Sequence, residues 1–338
     1  MILRQVERRA LRTALSVAGV ASAVAIVVLG NFFSDAIDHI VHTQFDVALR
    51  ADVLVGTAEA VAASNRLALQ RLPGVLEVEP QRNVAVQLQH GPQVERVQLQ
   101  GLPRDGALRR VIDGDGRVHP LPADGLLMTA RLASKLGLQP GDGVDVQVIE
   151  GRRPRLHVTL AATVDETMGL NVYIDRERLN RLLQEGDLAN QFSLAVERGR
   201  EGLLLDALRE VPRVGGAFSK ATLWRNMQEV SARNVRIMST LLTAFAAVIA
   251  VGVVYNIARI ALAERGWELA SLRVLGFTRA EVSALLLGEL ALVLAVALPL
   301  GMVAGWALVH LLVGLLQSDQ FSFPVVIGPS TYALAALA

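Results

Sequence analysis

Five acidic and histidine side chains follow the first apolar stretch of the sequence at spacings of three and four. They are Asp35, Asp38, His39, His42 and Asp46. On a continuing helix, residues at these spacings share a face, so their carboxylate and imidazole groups could bind a metal ion together. A solvated helix extension above a membrane explains the same pattern, and no further ligands stand nearby. We therefore expect no metal site here.

A second acidic pattern, residues 113–116, reads Asp-Gly-Asp-Gly and is similar to the opening of a calcium-binding loop. Position five of that loop would be Arg117, and position twelve would be Asp124 instead of a bidentate glutamate. An arginine at a ligand position repels calcium. The pattern therefore predicts a turn and no calcium site.

The sequence lacks the motifs that would make it an enzyme. It contains no HExxH, no G-x-S-x-G and no G-x-x-x-x-G-K-[ST], so metalloprotease, esterase and nucleotide hydrolase functions lack their first residues. It also contains no cysteine, which excludes thiol catalysis and disulfides. We expect a protein without catalytic activity, without a cofactor and without an ATPase of its own.

The composition indicates a membrane protein. The 338 residues are 52% hydrophobic and 19% charged, whereas average soluble chains carry about 25% charged residues. A net charge of +1 leaves no concentrated basic surface for phosphates, so nucleic acid is not an expected partner. Part of the chain is therefore expected to lie in the lipid bilayer.

Three uncharged or nearly uncharged runs, at residues 13–34, 237–258 and 290–318, predict transmembrane helices. The first would be about 33 Å long as a helix, against a hydrocarbon core of about 30 Å. A signal peptide is the alternative for this run, but its apolar part would be shorter and no cleavage site stands out. A fourth helix is expected to begin near Thr331. It would end too early to cross the bilayer, which suggests that the sequence is a fragment.

Basic residues near these runs predict the topology. Four arginines precede the first run, four more lie between the second and third runs, and residues 317–329 have none. Because cytoplasmic flanks retain arginine and lysine, the two arginine-bearing segments are expected in the cytoplasm. The arginines at 225, 233 and 236 weaken this count, although long translocated domains escape the rule. Residues 35–235 would then form a large extracytoplasmic domain.

This domain is predicted to be mixed α/β. Alternating or β-branched runs predict strands at 51–55, 84–89, 94–100, 144–149 and 192–196. Helices are predicted at 64–72, 129–136, 176–183 and 201–211, with Gly137 ending the second. Residues 71–75 and 210–214 both run from a helix through proline into a valine, which predicts two similar helix–strand units.

The loop between the second and third runs, residues 259–289, predicts two helices joined by a sharp corner. Leucines recur at helical spacing along its first half, while Glu264, Arg265 and Glu268 occupy other faces. Gly276 can adopt the left-handed conformation that ends a helix, and residues 278–281 read as a capping box that begins the next one. A solvated turn is the alternative. A rigid, charged corner is also a surface that a partner could contact.

At these residues the sequence resembles the FtsX-like permeases of ABC transporters, the group that includes the MacB and LolC/LolE types. The resemblance lies in Glu264-Arg265, Glu268, Leu272-Arg273 and Leu275-Gly276 between two spans, and it extends to the order of one span, a large outer domain and three further spans. The LPGV and QPGD segments also resemble the periplasmic domain of that family. The chain differs from the MacB type in having no fused ATPase domain.

The resemblance implies a permease subunit that couples ATP hydrolysis by a separate cytosolic ATPase to the export or extraction of a lipid, lipoprotein or hydrophobic compound. It implies a coupling helix centred on residues 272–279, a second permease unit of the same or a related chain, and a place in the bacterial cytoplasmic membrane. The residues expected at or beside the ATPase contact are Glu264, Arg265, Glu268, Leu272, Arg273, Gly276, Thr278, Arg279 and Glu281. The alternative is a transmembrane regulator that activates an extracytoplasmic partner without transport.

The expected fold class is thus an α-helical membrane protein of about four transmembrane helices, the last truncated, with an inserted mixed α/β extracytoplasmic domain. Residues 1–34 would be the cytoplasmic N-terminus and first helix. Residues 35–235 would be the MacB-like periplasmic domain. Residues 236–338 would be the FtsX-like permease domain, with its coupling loop at 259–289.

Overall fold

The computed structural model of the chain describes residues 10–211, 213–227, 229, 233–274, 278–316 and 324–337. It divides into two compact units. The helical unit comprises Met1–Asp38, Val230–Leu316 and Val325–Ala338, and the α/β unit comprises His39–Glu229 and Gln317–Pro324.

Three of the described helices of the helical unit are long, whereas its last helix and the helices of the α/β unit have nine residues or fewer. A six-residue π-helical segment, Thr43–Ala48, directly follows the first helix. The α-helices are α1 (Ala10–His42), α2 (Arg66–Gln70), α3 (Ala130–Leu136), α4 (Arg176–Leu182), α5 (Glu201–Arg209), α6 (Lys220–Met227), α7 (Arg233–Val274), α8 (Arg279–Leu316) and α9 (Pro329–Leu337).

The described strands all lie in the α/β unit. Each of the five predicted strands overlaps an observed one, whose ends differ from the predicted ends by up to nine residues (75 observed against 84 predicted). The strands are β1 (Val53–Ala62), β2 (Val75–His90), β3 (Gln93–Leu102), β4 (Val111–Ile112), β5 (Val118–His119), β6 (Leu126–Thr129), β7 (Gly143–Val148), β8 (Arg155–Val164), β9 (Val172–Asp175), β10 (Leu188–Val196) and β11 (Val214–Ser219).

One lobe of the α/β unit is a four-stranded antiparallel sheet in the order β11-β1-β10-β2. Its chain order, β1-α2-β2 followed by β10-α5-β11, is that of two split βαβ units. Apolar residues on one face of the sheet, including Val53 and Phe192, pack with Leu69 of α2 and Leu204 of α5. The predicted pair of helix–strand units is therefore confirmed, except that Pro212 lies outside the described residues.

The other lobe is a closed barrel. Six strands pair in a ring, in the order β2-β3-β9-β6-β8-β7 and back to β2. Alternate residues of β2, Val84, Val86 and Leu88, are fully buried in a core that also contains Leu132 of α3 and Leu179 of α4. Each strand of this ring therefore has a partner on both sides, and the ring has no open edge strand.

The two lobes share β2. The polar side chains in the middle of this strand are buried. The Asn83 side chain donates to Gln191 Oε1 at 2.6 Å, and its backbone N–H donates to Asn190 Oδ1 at 2.7 Å. Arg82 pairs with Glu185 at 3.2 Å. Because buried polar groups are costly without partners, these bonds fix where β2 passes from one sheet to the other.

In the helical unit, α1 packs against the three other helices at close range. A Cβ at Gly301 or Gly305 of α8 would lie 2.6 Å or 2.7 Å from the Cβ atoms of Val24 and Val28. Small residues four apart allow such close approach of two helices. A Cβ at Gly30 of α1 would likewise lie 3.0 Å from Leu242 of α7. The helices therefore depend on glycine at their crossings.

Three of the described helices contain segments long and apolar enough to cross a bilayer, namely Ala14–Ala48, Ile237–Ile260 and Leu290–Leu315. They correspond to the three predicted spans. The expected fourth helix is α9, which begins at Pro329, two residues before the predicted position.

Candidate functional site

The candidate coupling segment lies where α7 and α8 continue beyond their apolar parts. The 42 residues of α7 make it about 63 Å long, and only Ile237–Ile260 is apolar enough to span a bilayer. On the other side, α8 begins at Arg279, well before the apolar segment that starts at Leu290. The two predicted helices are therefore confirmed, and the corner between them stays a prediction. Gly276, the predicted helix stop, lies outside the described residues.

The start of α8 is held by the predicted capping box. The backbone N–H and the hydroxyl of Thr278 donate to Glu281 Oε2 at 2.8 Å and 2.9 Å, and the Glu281 N–H donates to Thr278 Oγ1 at 3.3 Å. These bonds satisfy donors that a helix N-terminus otherwise leaves unpaired. The bond from the Thr278 backbone and then that from its hydroxyl lower the pKa of Glu281. Glu281 is therefore a carboxylate at neutral pH. Its negative charge lies near the positive end of the α8 dipole, which stabilises the helix.

Large apolar side chains outside the apolar spans are exposed on this segment. Val274, the last residue of α7, is 88% exposed, Leu262 is 52% exposed and Leu287 of α8 is 64% exposed. Exposed apolar side chains are expected on a helix that faces lipid. These three residues, however, lie outside the segments Ile237–Ile260 and Leu290–Leu315. Apolar side chains exposed outside a lipid-facing span are available for contact with a partner protein.

The charged residues predicted beside the ATPase contact are placed on the two helices. The structure places the backbone of Glu264, Arg265, Glu268, Leu272 and Arg273 in the last third of α7, and Arg279 at the first position of α8. Their side-chain positions lie outside the described part of the structure. Their role in contacting an ATPase stays a prediction.

The acidic and histidine residues after the first apolar run have separate partners. The carboxylate of Asp35 accepts hydrogen bonds from Gly328 and Thr331. His39 Nε2 lies 3.2 Å from the Gly114 carbonyl oxygen, and His42 Nδ1 lies 2.8 Å from Asp46 Oδ2. Expecting all five on one solvated face was therefore wrong for Asp35 and His39, because both are partly buried and bond to residues distant in the sequence. Within the described residues, no three metal-ligating side chains come together.

The Asp-Gly-Asp-Gly segment forms the predicted turn. Asp113 Oδ1 accepts the backbone N–H groups of Asp115 and Arg117 at 3.0 Å and 2.8 Å, and His119 Nε2 lies 3.1 Å from Asp113 Oδ2. Burial raises the pKa of Asp113, but the bonds from Arg117, His119 and Asp115 outweigh that effect and lower it. The Asp113 carboxylate therefore stabilises the loop to which it belongs.

A buried polar cluster in the barrel lobe was missed by the sequence analysis. The Tyr173 hydroxyl donates to Glu166 Oε1 at 2.8 Å, and the Asn171 amide donates to Glu166 Oε2 at 2.6 Å. Arg131 donates to the Glu166 carbonyl oxygen at 2.7 Å. Burial raises the pKa of Glu166 although these bonds oppose it, and it also raises the pKa of Tyr173. Glu166, Asn171 and Tyr173 lie within eight residues of one another, but no sequence motif marks them as a cluster, and Arg131 comes from a separate element, α3.

Comparison with known proteins finds a family match in the C-terminal part of the chain. The family of the FtsX-like permease C-terminal domain matches residues 240–338. This match contains the end of α7, the capping box and the start of α8. No curated protein sequence matches the chain.

Two solved structures are similar to the chain over about half of its length. One is the periplasmic region of MacB from Actinobacillus actinomycetemcomitans, with 12% identity, a TM-score of 0.37, and coverage of 54% of this chain and 94% of that one. The other is the extracellular domain of the noncanonic ABC-type transporter YknZ from Gram-positive bacteria, with 14% identity, a TM-score of 0.33, and coverage of 49% and 100%.

Proposed function

We propose that this chain, which carries an FtsX-like permease C-terminal domain at residues 240–338, is the permease subunit of an ABC transporter. A separate cytosolic ATPase would bind the ends of α7 and α8, and its closure on ATP would move these helices. The observation that carries the proposal is the capped start of α8 together with exposed apolar side chains near it, within the matched residues. Val274 and Leu287 offer apolar contacts there, and the Thr278–Glu281 bonds fix the direction in which α8 begins.

The helices have the length that mechanical transmission requires. At 1.5 Å per residue, α7 and α8 are about 63 Å and 57 Å long, which is about twice the hydrocarbon thickness of a bilayer. A continuous helix transmits an axial displacement because each residue is hydrogen bonded to the next turn. Force applied near residue 274 would therefore reach the other end of α7 without passing through a flexible joint in the described range 233–274.

The cargo we propose is a lipid, a lipoprotein or another hydrophobic compound, on the extracytoplasmic side of the bacterial cytoplasmic membrane. Exposed apolar side chains on the α/β unit support this choice. Leu76 and Leu203 are each 62% exposed and Phe218 is 58% exposed. Apolar groups in such positions can contact the acyl chains of a cargo or an extracytoplasmic partner protein.

We further propose that a second permease unit, of the same or a related chain, packs against the exposed sides of α7 and α8. Exposed residues of α7 include Phe245, Val248 and Tyr255, each more than 60% exposed. They lie at helical spacing on one side of the helix, whereas Ala246 is buried. Lipid and a second unit would share these surfaces.

Affinity purification of the full-length protein from native membranes, followed by mass spectrometry of the proteins that stay attached, tests the proposal. We expect an ATP-binding subunit to be recovered with the wild-type protein. The Val274→Asp, Leu287→Asp double variant should lose it, because two buried charges would oppose association. A matched control is Leu76→Asp in the α/β unit, which should retain it.

The same experiment separates the proposal from the regulator alternative. Recovery of extracytoplasmic proteins with no ATPase, from wild-type membranes, would contradict the permease assignment and support a membrane-anchored regulator. Retention of the ATPase by the Val274→Asp, Leu287→Asp variant would show that the ATPase binds elsewhere.

A further inference from the structure

A short buried segment, residues 48–52, lies between the π-helical segment after α1 and the start of β1. Leu49 is 5% exposed and Ala51 is fully buried, and both pack with Leu108. The Arg50 and Ala51 N–H groups donate to the Leu108 carbonyl oxygen at 2.9 Å and 3.2 Å. The segment that follows α1 is thereby joined to the loop after β3, which belongs to the barrel lobe.

The same segment is bonded to the four-stranded sheet. The Asp52 N–H donates to the Leu194 carbonyl oxygen at 2.8 Å, and Asp52 Oδ2 accepts the Val196 N–H at 2.8 Å. The Asp52 carbonyl oxygen accepts the Lys220 N–H at 2.8 Å. Residues 48–52 are thus a junction that contacts both lobes and the first residue of α6.

Glu79 of β2 fixes the other side of this junction. Its Oε1 accepts the backbone N–H groups of Ala107 and Leu108, the latter at 3.0 Å. Burial raises the pKa of Glu79, and the two backbone bonds oppose that effect. Leu108 is therefore held in place by a buried carboxyl group while its carbonyl oxygen binds residues 50 and 51.

Lys220 adds side-chain bonds to this junction. Its Nζ donates to the Leu49 carbonyl oxygen at 3.2 Å and lies 3.9 Å from Asp46 Oδ1 in the π-helical segment. Lys220 begins α6, which precedes α7 in the chain. A single ammonium group therefore joins the segment that follows one membrane helix to the segment that precedes the next.

Two features beside Lys220 show that its side chain is not tightly packed. A cavity of about 190 Å³ is lined by Asp46, Asp52, Glu201, Lys220 and Trp224. The preceding segment is π-helical, which is rare and frequent at functional sites. The cavity leaves room for the side chains around it to shift. The Lys220 ammonium group therefore adds a side-chain link to the backbone bonds, the Lys220 N–H to Asp52 and the pairing of β1 with β11, that already join the two segments.

We propose that Lys220 is a positioning residue for mechanical transmission. It holds the segment after α1 to the start of α6, so that displacement of either membrane helix reaches both lobes of the α/β unit at one junction. This inference rests on the proposed permease function and assigns a residue to it that no sequence motif marks.

Hydrogen–deuterium exchange on the full-length protein with its ATPase, in lipid nanodiscs, tests this role. The nucleotide-free complex is compared with the complex trapped with ATP and vanadate. Without nucleotide, Lys220→Met should raise exchange at amides 49–52 and 220 at least tenfold. When the complex is trapped with ATP and vanadate, the protection from exchange in the wild type should change in residues 43–52 and 220–227 together. The Lys220→Met variant should lose more than half of this change in residues 220–227.

Two matched variants separate charge from folding. Lys220→Arg keeps a cation and should retain most of the response. The sequence has one other lysine, Lys135, which pairs with Glu95 at 3.0 Å, and Lys135→Met should behave as the wild type. If Lys220→Met raises exchange but keeps the full nucleotide response, Lys220 is structural only and the inference is wrong.

A disulfide provides a rescue test in a chain that contains no cysteine. Leu54 of β1 and Phe218 of β11 are directly opposed, and opposed residues have Cβ atoms about 4.5–5.5 Å apart, close to disulfide distance. In the Lys220→Met background, the oxidised Leu54→Cys, Phe218→Cys pair should restore the response and reduction should remove it. A wild-type complex that binds ATP but changes nowhere on trapping would instead overturn the proposed function itself.

Discussion

The carboxylate of Asp35 in α1 caps the start of α9. Its Oδ2 accepts the Thr331 hydroxyl at 2.6 Å and the Gly328 N–H at 2.8 Å. An N-cap residue normally belongs to the helix that it caps, whereas here the cap is supplied by a helix nearly three hundred residues earlier in the chain. The first and last described helices of the helical unit are joined by this one side chain.

Replacement of Asp35 should therefore loosen α9. We expect Asp35→Ala to lower the free energy of unfolding by about 1–3 kcal/mol, because two donors lose a charged acceptor. Asp35→Asn keeps an acceptor oxygen and should lose less. Thermal unfolding in detergent measures this, with Asp38→Ala, an exposed neighbour on the same helix, as the control. Equal melting temperatures for Asp35→Ala and Asp38→Ala would contradict the capping role.

The capping box at α8 should affect coupling more than global stability. Thr278→Ala removes one acceptor and one donor and should cost about 1 kcal/mol locally. We expect the ATPase to stay bound while ATP hydrolysis no longer changes the protection of the α/β unit. Thr278→Ser keeps the hydroxyl and should behave as the wild type. Normal coupling in Thr278→Ala would show that the corner does not need this cap.

Gly301 and Gly305 of α8 should tolerate no larger side chain. Gly305→Leu would drive a side chain into Val28 of α1, where a Cβ alone already lies at 2.7 Å, so we expect a loss of about 1–3 kcal/mol or more from overpacking. Gly314→Leu is the matched control, since nothing lies within 4 Å of a Cβ there. Unfolding in mild detergent should separate the two variants. A stable Gly305→Leu protein would mean that α1 and α8 do not pack at this crossing.

Glu166 should make the stability of the α/β unit depend on pH. Its pKa is raised in the folded state by burial, so the folded protein binds a proton more tightly than the unfolded protein does. The associated stability is present below the unfolded pKa and is lost as pH rises through the folded pKa. The wild type should therefore unfold at a lower temperature at pH 7 than at pH 4, relative to Glu166→Gln. Parallel pH profiles for the two proteins would contradict this assignment.

The sequence predicted those parts of the fold that depend on local patterns. The capping box at Thr278 and Glu281 and the helix stop at Gly137 follow from the conformations that these residue types favour, and the structure confirms both, with Gly137 in the left-handed region at a φ of 66°. Spans such as residues 237–258 follow from hydropathy alone.

Features that depend on distant pairing were not predicted. The four residues of β6 are all buried, so they show no alternation that would distinguish a strand. Barrel closure depends on the pairing of β2 with β7, and the Glu166 cluster includes Arg131, which lies 35 residues earlier in the sequence. Lys220 could not be identified from the sequence, because a lone lysine before a helix is ordinary and because its hydrogen-bond partner is a backbone carbonyl oxygen, that of Leu49.

The sharing of β2 by both lobes has a consequence for synthesis. Strand β1 has no described partner until β10 and β11 have been made, and at 5–20 residues per second the ribosome needs roughly ten seconds to reach them. The nascent chain would meanwhile present an unpaired apolar strand on the far side of the membrane. The strands of the barrel are encoded between β1 and β10. They can pair with β2 first, which would keep half of β2 ordered. We therefore expect secretion-associated chaperones to bind residues 53–62 during translocation, before the second half of the four-stranded sheet emerges.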